Sequence, residues 1–177
     1  MNYFTRDLVR RLSSDDDSVV NAAHREWEEA NERYERHLRT IEPELPPHVR
    51  EFNDLLLHDA VVSNIAREGD KLIMVLQKDI PPRDTVILTY SLIEDPVIDP
   101  EALPAEDRLK VMDFQYDEFD LVRAGENKVY AQGIVFGNGW EMTLRFTDVR
   151  VTLAQALYPF PGTMLVPTAT SVLAQSA

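Results

Sequence analysis

The sequence predicts an α+β protein in which N-terminal helices pack on a C-terminal antiparallel, mostly meander-type β-sheet. Three observations predict it. From Val20 to Ile41 apolar residues recur every three or four positions, the period of a helix with one buried stripe. From Ala60 onward they recur at every second position, in runs separated by turns bearing Gly and Asn. The helical text all precedes the strand text, and each helix presents a stripe that needs cover. The 177 residues are therefore read as one domain. Its parts are a helical stretch over 1–57, an antiparallel sheet over 58–153 and an uncharged tail over 154–177.

Thr5 suits the cap of a short first helix whose apolar side is Phe4, Leu8, Val9 and Leu12. Ser14 with Asp17 resembles a capping box, and Asp15, Asp16 and Asp17 suit the positive end of a helix dipole. The second helix carries Val20, Ala23, Trp27, Ala30, Tyr34, Leu38 and Ile41 on one stripe. Glu29–Arg33 and Glu32–Arg36 support its outer face at a spacing of four. Trp27 and Tyr34 read as core anchors. Pro43, Pro46 and Pro47 end this helix, and Pro47 fits the first turn of a third one marked by Val49, Phe52, Leu55 and Leu56.

Past Leu57-His58-Asp59-Ala60 the period becomes that of strands. Val61 and Ile65 alternate with Val62 and Ala66, and Glu68-Gly69-Asp70 turns the chain into Leu72–Leu76. That return strand is apolar on both faces, which predicts a central place covered by helices. Residues 79–83 form a loop. Val86, Leu88, Tyr90 and Leu92 alternate inward along the next strand. A long proline-bearing loop is expected from about Glu94 to Arg108. Between Val111 and Leu121, Met112, Phe114 and Tyr116 fall on one side, and Asp113, Gln115 and Asp117 on the other. Residues 123–127 turn into a strand over Val129–Phe136. Gly137-Asn138-Gly139 is a hairpin signal, after which Trp140, Met142, Leu144 and Phe146 alternate with polar residues.

Composition narrows the class of partner. Net charge is -13, and an acidic surface repels phosphate backbones and anionic lipid. Nucleic acid and membrane are thereby excluded as expected partners, while a basic protein or a cation is favoured. Cysteine is absent, so no disulfide, thiolate ligand or thiol nucleophile is available. The charged first residues do not read as a signal peptide, and no apolar run approaches the ~20 residues a membrane span needs. A cytoplasmic setting is the expectation. The oligomeric state is open, with 154–177 a surface that an oligomer could use.

No phosphate loop, dinucleotide glycine fingerprint, nucleophile elbow or His-Glu-x-x-His motif occurs, and no cofactor is expected. Four histidines are present. His24, His37 and His48 lie among charged neighbours and read as solvent-exposed. His58-Asp59 stands at the helix-to-strand junction. It could act as a general base with its orienting carboxylate, or supply two metal ligands with Asp113 and Asp117. Its structural role would be to satisfy backbone groups where one periodicity gives way to another. Asp113, Asp117, Glu118 and Asp120 form an acidic strand that suits a divalent cation or simply a solvated edge. Asp117, Asp120, Trp140 and Glu141 are the binding candidates, with Trp140 also placed to seal one end of the core.

Several motifs in order carry a resemblance. These are the opening Met-Asn-Tyr-Phe-Thr-Arg-Asp-Leu, Leu57-His58-Asp59-Ala60, Tyr116-Asp117-Glu118-Phe119-Asp120 and Asn138-Gly139-Trp140-Glu141. Leu144-Arg145-Phe146-Thr147-Asp148-Val149 completes the series. Together they resemble an uncharacterised bacterial family known only as a domain of unknown function. The resemblance spans roughly Met1 to Val151 and implies a bacterial, cytoplasmic setting without an activity. The functional expectation is a non-enzymatic intracellular binding or interaction protein whose acidic surface meets a basic protein. The alternative is a small metal-dependent hydrolase using His58 and Asp59 with carboxylates from Asp117 or Asp120.

Overall fold

A computed structural model of the chain describes residues 1–78, 84–99, 112–124 and 127–154. Among the described residues three α-helices come first: α1 (Arg6–Leu12), α2 (Asp17–Ile41) and α3 (Pro47–Asn53), with a 3-10 turn at Glu42–Glu44 between the last two. Seven strands follow among them: β1 (Ala60–Glu68), β2 (Lys71–Gln77), β3 (Thr85–Leu92), β4 (Val97–Asp99), β5 (Asp113–Ala124), β6 (Asn127–Phe136) and β7 (Glu141–Ala154). The protein is α+β with an antiparallel sheet. Among the described residues, no helix is long and apolar enough to cross a membrane.

Local chemistry sets the helix ends. The Thr5 hydroxyl accepts from the Leu8 amide at 3.3 Å and starts α1. At the start of α2 the expected Ser14–Asp17 box does not form. Asp16 is the cap instead, its Oδ1 accepting from Ser18 N at 2.8 Å and Val19 N at 3.4 Å, while Ser14 only takes the Asp16 amide. The Ser18 hydroxyl, donating to the same Oδ1 at 2.6 Å, and then the two amides hold the Asp16 carboxyl below its usual pKa. The third helix stops at Asn53, short of the expected Leu55 and Leu56. Leu56 is 80% exposed, because the chain leaves the helix before that residue can turn inward.

The sheet order is β3-β2-β1-β5-β6-β7-β4, with a further pairing between β3 and β7. Two three-stranded meanders, β1–β3 and β5–β7, are thus joined first strand to first and last strand to last, and the sheet closes into a barrel. The two seams are unequal. β3 pairs with β7 from Thr85 to Leu92, whereas β1 pairs with β5 only at Ala60↔Phe114 and Val61↔Asp113. Part of the expected loop after Glu94 is in fact β4, which continues along β7 where β3 leaves it. Residues 100–108 of that loop, the loop at 79–83 and the tail beyond Ala154 lie outside the described residues.

The barrel interior is filled. Leu72, Met74, Leu76, Val86, Leu88, Tyr90, Phe119, Phe136, Leu144 and Phe146 are all buried in one cluster. The third helix plugs one end, its Phe52 ring 6.0 Å from Tyr90 and 6.2 Å from Phe119, edge-on to both. Burying a side chain of this size contributes roughly 1.5–3 kcal/mol. Ile73 and Val75 on the outer face of β2 are only partly buried, so the cover expected for both faces of that strand is incomplete. Trp140 packs against the core from its edge.

A second, separate cluster lies outside the barrel. Phe4, Leu8, Ala23 and Ala30 bury one another, with Trp27, Tyr34 and Tyr116 packed against them. The α2 stripe therefore covers α1 and the outer face of β5. Tyr116 belongs to this layer and faces away from Phe114, with which the expected alternation grouped it. The cause is a bulge between Phe114 and Tyr116, which inserts Gln115 as an extra residue and reverses the faces of every residue after it.

Candidate functional site

The bulge decides where the acidic strand puts its carboxylates. Asp113 and Asp117 would share a face in a regular strand, but the extra residue separates them. Asp113 lies at the outer side, against the hairpin that follows β6. A Cβ at Gly137 would collide with its carboxylate, so a larger residue there would push the Asp113 side chain aside. Asp117 shares the inner face with Phe119. Glu118 and Asp120 turn outward beneath the helices. Four neighbouring carboxylates thus occupy four environments and do not converge on one point. Among the described residues, no group of three or more His, Asp or Glu side chains converges as metal coordination requires.

Gln115 ties the outer pair together. Its side-chain amide donates to Asp113 Oδ2 at 2.5 Å and to Asp59 Oδ1 at 3.1 Å. The His58 ring meets the Gln115 carbonyl through Nδ1 at 2.5 Å, and its Nε2 lies 3.5 Å from Asp59 Oδ2. Asp59 adopts a left-handed φ of 61°, a conformation that a short polar side chain tolerates. His58 and Asp59 are 51% and 57% exposed, so the pair sits open to solvent at the short β1–β5 seam. The structure brings His58, Asp59 and Asp113 together and leaves Asp117 and Asp120 elsewhere.

Asp117 enters a polar chain inside the barrel. Gln132, fully buried, donates through Nε2 to Asp117 Oδ2 at 2.7 Å and accepts from the Tyr90 hydroxyl at 2.8 Å. Burial pushes the Asp117 carboxyl up to about 6, against the Gln132 bond that lowers it, with Glu118 adding to the rise. The Tyr90 phenol is raised well above its ordinary value by burial and by the Asp117 charge.

Glu118 is buried and clamps the N-terminal segment. Its Oε2 accepts from the Asn2 amide at 2.7 Å, and its Oε1 from the Tyr3 and Phe4 amides at 2.6 Å each. Three charge-assisted bonds satisfy the buried carboxylate and lay the chain across the outer face of β5 and β6. Beside the clamp, Asp120 Oδ1 takes His37 Nε2 at 2.9 Å and the Leu121 amide at 2.8 Å. Tyr34 adds a bond to the edge of β5, its hydroxyl accepting from the Phe119 amide at 2.6 Å. Burial, with the charge of Asp117, raises the Tyr34 phenol. Met1, Tyr3, His37, Glu118 and Asp120 border a cavity of about 170 Å³ floored by Ala131 and Gly133.

Glu141 faces α1, its Oε1 accepting from the Arg6 amide at 3.3 Å and lying 3.7 Å from Arg6 Nε. Trp140 follows the hairpin, its amide held by Asn138 Oδ1 at 3.1 Å. His37 is the residue that sequence reading missed. Its partner Asp120 lies 83 positions away, so no local spacing marks the pair. His48 likewise reaches Asp148 at 2.7 Å across 100 positions. The chain matches no protein-family model, and no curated protein matches it.

Proposed function

We propose that this is an intracellular recognition protein whose acidic outer surface binds a basic protein partner. The observation that carries the reading is the division between a filled interior and a charged exterior. Among the described residues, aromatic and aliphatic side chains pack the barrel interior around the Tyr90–Gln132–Asp117 chain and α3 covers one end, while the chain bears a net charge of -13. A surface of that sign raises the local concentration of basic partners and steers their approach. The cytoplasmic setting and membership of the uncharacterised bacterial family are proposed with it, on the motifs that run from Met1 to Val151. The alternative of a metal-dependent hydrolase at His58 and Asp59 finds less support, since Asp117 and Asp120 stand apart from that pair.

The test is fluorescence anisotropy with a labelled lysine-rich dodecapeptide at low salt, alongside a glutamate-rich peptide of equal length. Saturable one-to-one binding of the basic peptide alone is the expected result. No binding of it, or equal binding of the acidic one, overturns the reading.

A further inference from the structure

The cavity beside the N-terminal segment has features that a surface depression lacks. One wall is the Tyr3 ring, which stacks with the His37 ring at a centroid distance of 6.2 Å and tilts against Tyr34 at 5.3 Å. Another is Asp120, whose side chain is 48% exposed. Gly133 lets the N-terminal segment lie close, because a Cβ there would meet the Met1 side chain at Cγ, 2.9 Å away, and Met1 covers that part of the floor.

The two carboxylates at the cavity differ in what they have left to give. Glu118 is buried and engaged by three backbone amides. Asp120 places both its bonds on Oδ1, from His37 and Leu121, and Oδ2 has no hydrogen bond among the described residues. A carboxylate oxygen is an acceptor with no proton to offer when ionised, so it calls for a donor, and a cationic donor gains most. Tyr3 lines the same cavity, and an aromatic ring favours the same charge through its quadrupole. The volume of about 170 Å³ admits a small group and the end of its stem, not a folded ligand.

Resting on the basic-partner reading above, we propose that this cavity receives a lysine ammonium from the partner, held by Asp120 against the Tyr3 ring. Lysine fits better than arginine. Its charge is a compact point on a flexible apolar stem, which suits one free carboxylate oxygen in a cavity lined also by Met1 and Ala131, whereas a guanidinium fork asks for two parallel acceptors.

The experiment is an amide NMR titration of the whole chain with the capped tripeptide Gly-Lys-Gly, and with the same peptide acetylated on its lysine. Saturable shifts grouped at Tyr3, His37, Asp120 and Gly133 are expected for the lysine peptide and not for the acetylated one. Asp120→Asn should weaken binding by about three- to fivefold, the loss of one half-exposed ion pair. Tyr3→Leu keeps the apolar contact, removes the aromatic face and should weaken it several-fold, which serves if Asp120→Asn disturbs the fold. Shifts that are scattered or absent, equal binding after acetylation, or wild-type affinity in both variants would each overturn the proposal. If the dodecapeptide still binds in that event, the basic-partner reading stands and only this pocket is lost. If it does not, both fall.

Discussion

Replacing Asp117 by Asn should make the protein more stable at neutral pH, and the gain should vanish in acid. The carboxyl is held at about 6 in the fold against 3.8 for the free group, with burial as the main cause. The folded state therefore holds this proton more tightly than the unfolded chain does. Its stabilising contribution is complete below the unfolded value and is lost as pH rises through the folded one. A separation of about two units corresponds to about 3 kcal/mol lost by pH 7.5, taken as an upper figure. Asn keeps an oxygen for Gln132 Nε2, whose orientation is fixed by the Tyr90 hydroxyl at the other end of the amide. The new NH2 group changes stability by a similar amount at every pH, so the slope is the readout. Urea unfolding of both proteins from pH 3.5 to 8 should show the difference in stability growing in favour of Asn across pH 4 to 6.5, then levelling. A difference that stays flat over that range refutes the placement of Asp117 inside the barrel.

Glu118→Gln should cost about 2–3 kcal/mol, since one end of the amide is a donor and cannot accept from three backbone amides; hydrogen exchange at Tyr3 and Phe4 should quicken with it. His58→Ala should cost about 1 kcal/mol in denaturant midpoint, the worth of a half-exposed bond to the Gln115 carbonyl, and a loss above about 3 kcal/mol would mean the ring is buried. Leu56→Ser should leave stability within about 0.5 kcal/mol, because the side chain is already 80% exposed.

Much of this fold can be read locally, and what cannot has one kind of cause. The α2 stripe, the Thr5 cap and the Gly137–Gly139 hairpin are written in short-range spacing, and each is where that spacing puts it. Closure of the barrel depends on β3 meeting β7 more than 50 positions later, and alternation along a strand does not name its neighbour. The bulge at Gln115 carries no glycine or proline to announce it, yet it reverses Tyr116 and Asp117 together. An acidic strand that looked like one cluster is therefore a seam contact, a buried polar chain, a clamp and a cavity wall. β4 escaped notice because three residues are too few to show a period. The His58-Asp59 junction was visible as a change of period. Its bond to the Gln115 carbonyl was not, because the bulge that frees that carbonyl lies 57 positions on.

The salt dependence of binding to the lysine-rich dodecapeptide tests recognition by the acidic surface most directly. An acidic surface acting through charge predicts affinity that falls steadily between 20 and 300 mM salt, as the screening length shortens from roughly 20 Å to below 10 Å. It also predicts that Asp120→Asn flattens the slope. Affinity that is unchanged across this range would contradict it, because a contact indifferent to salt is not made by the charge that the sequence carries.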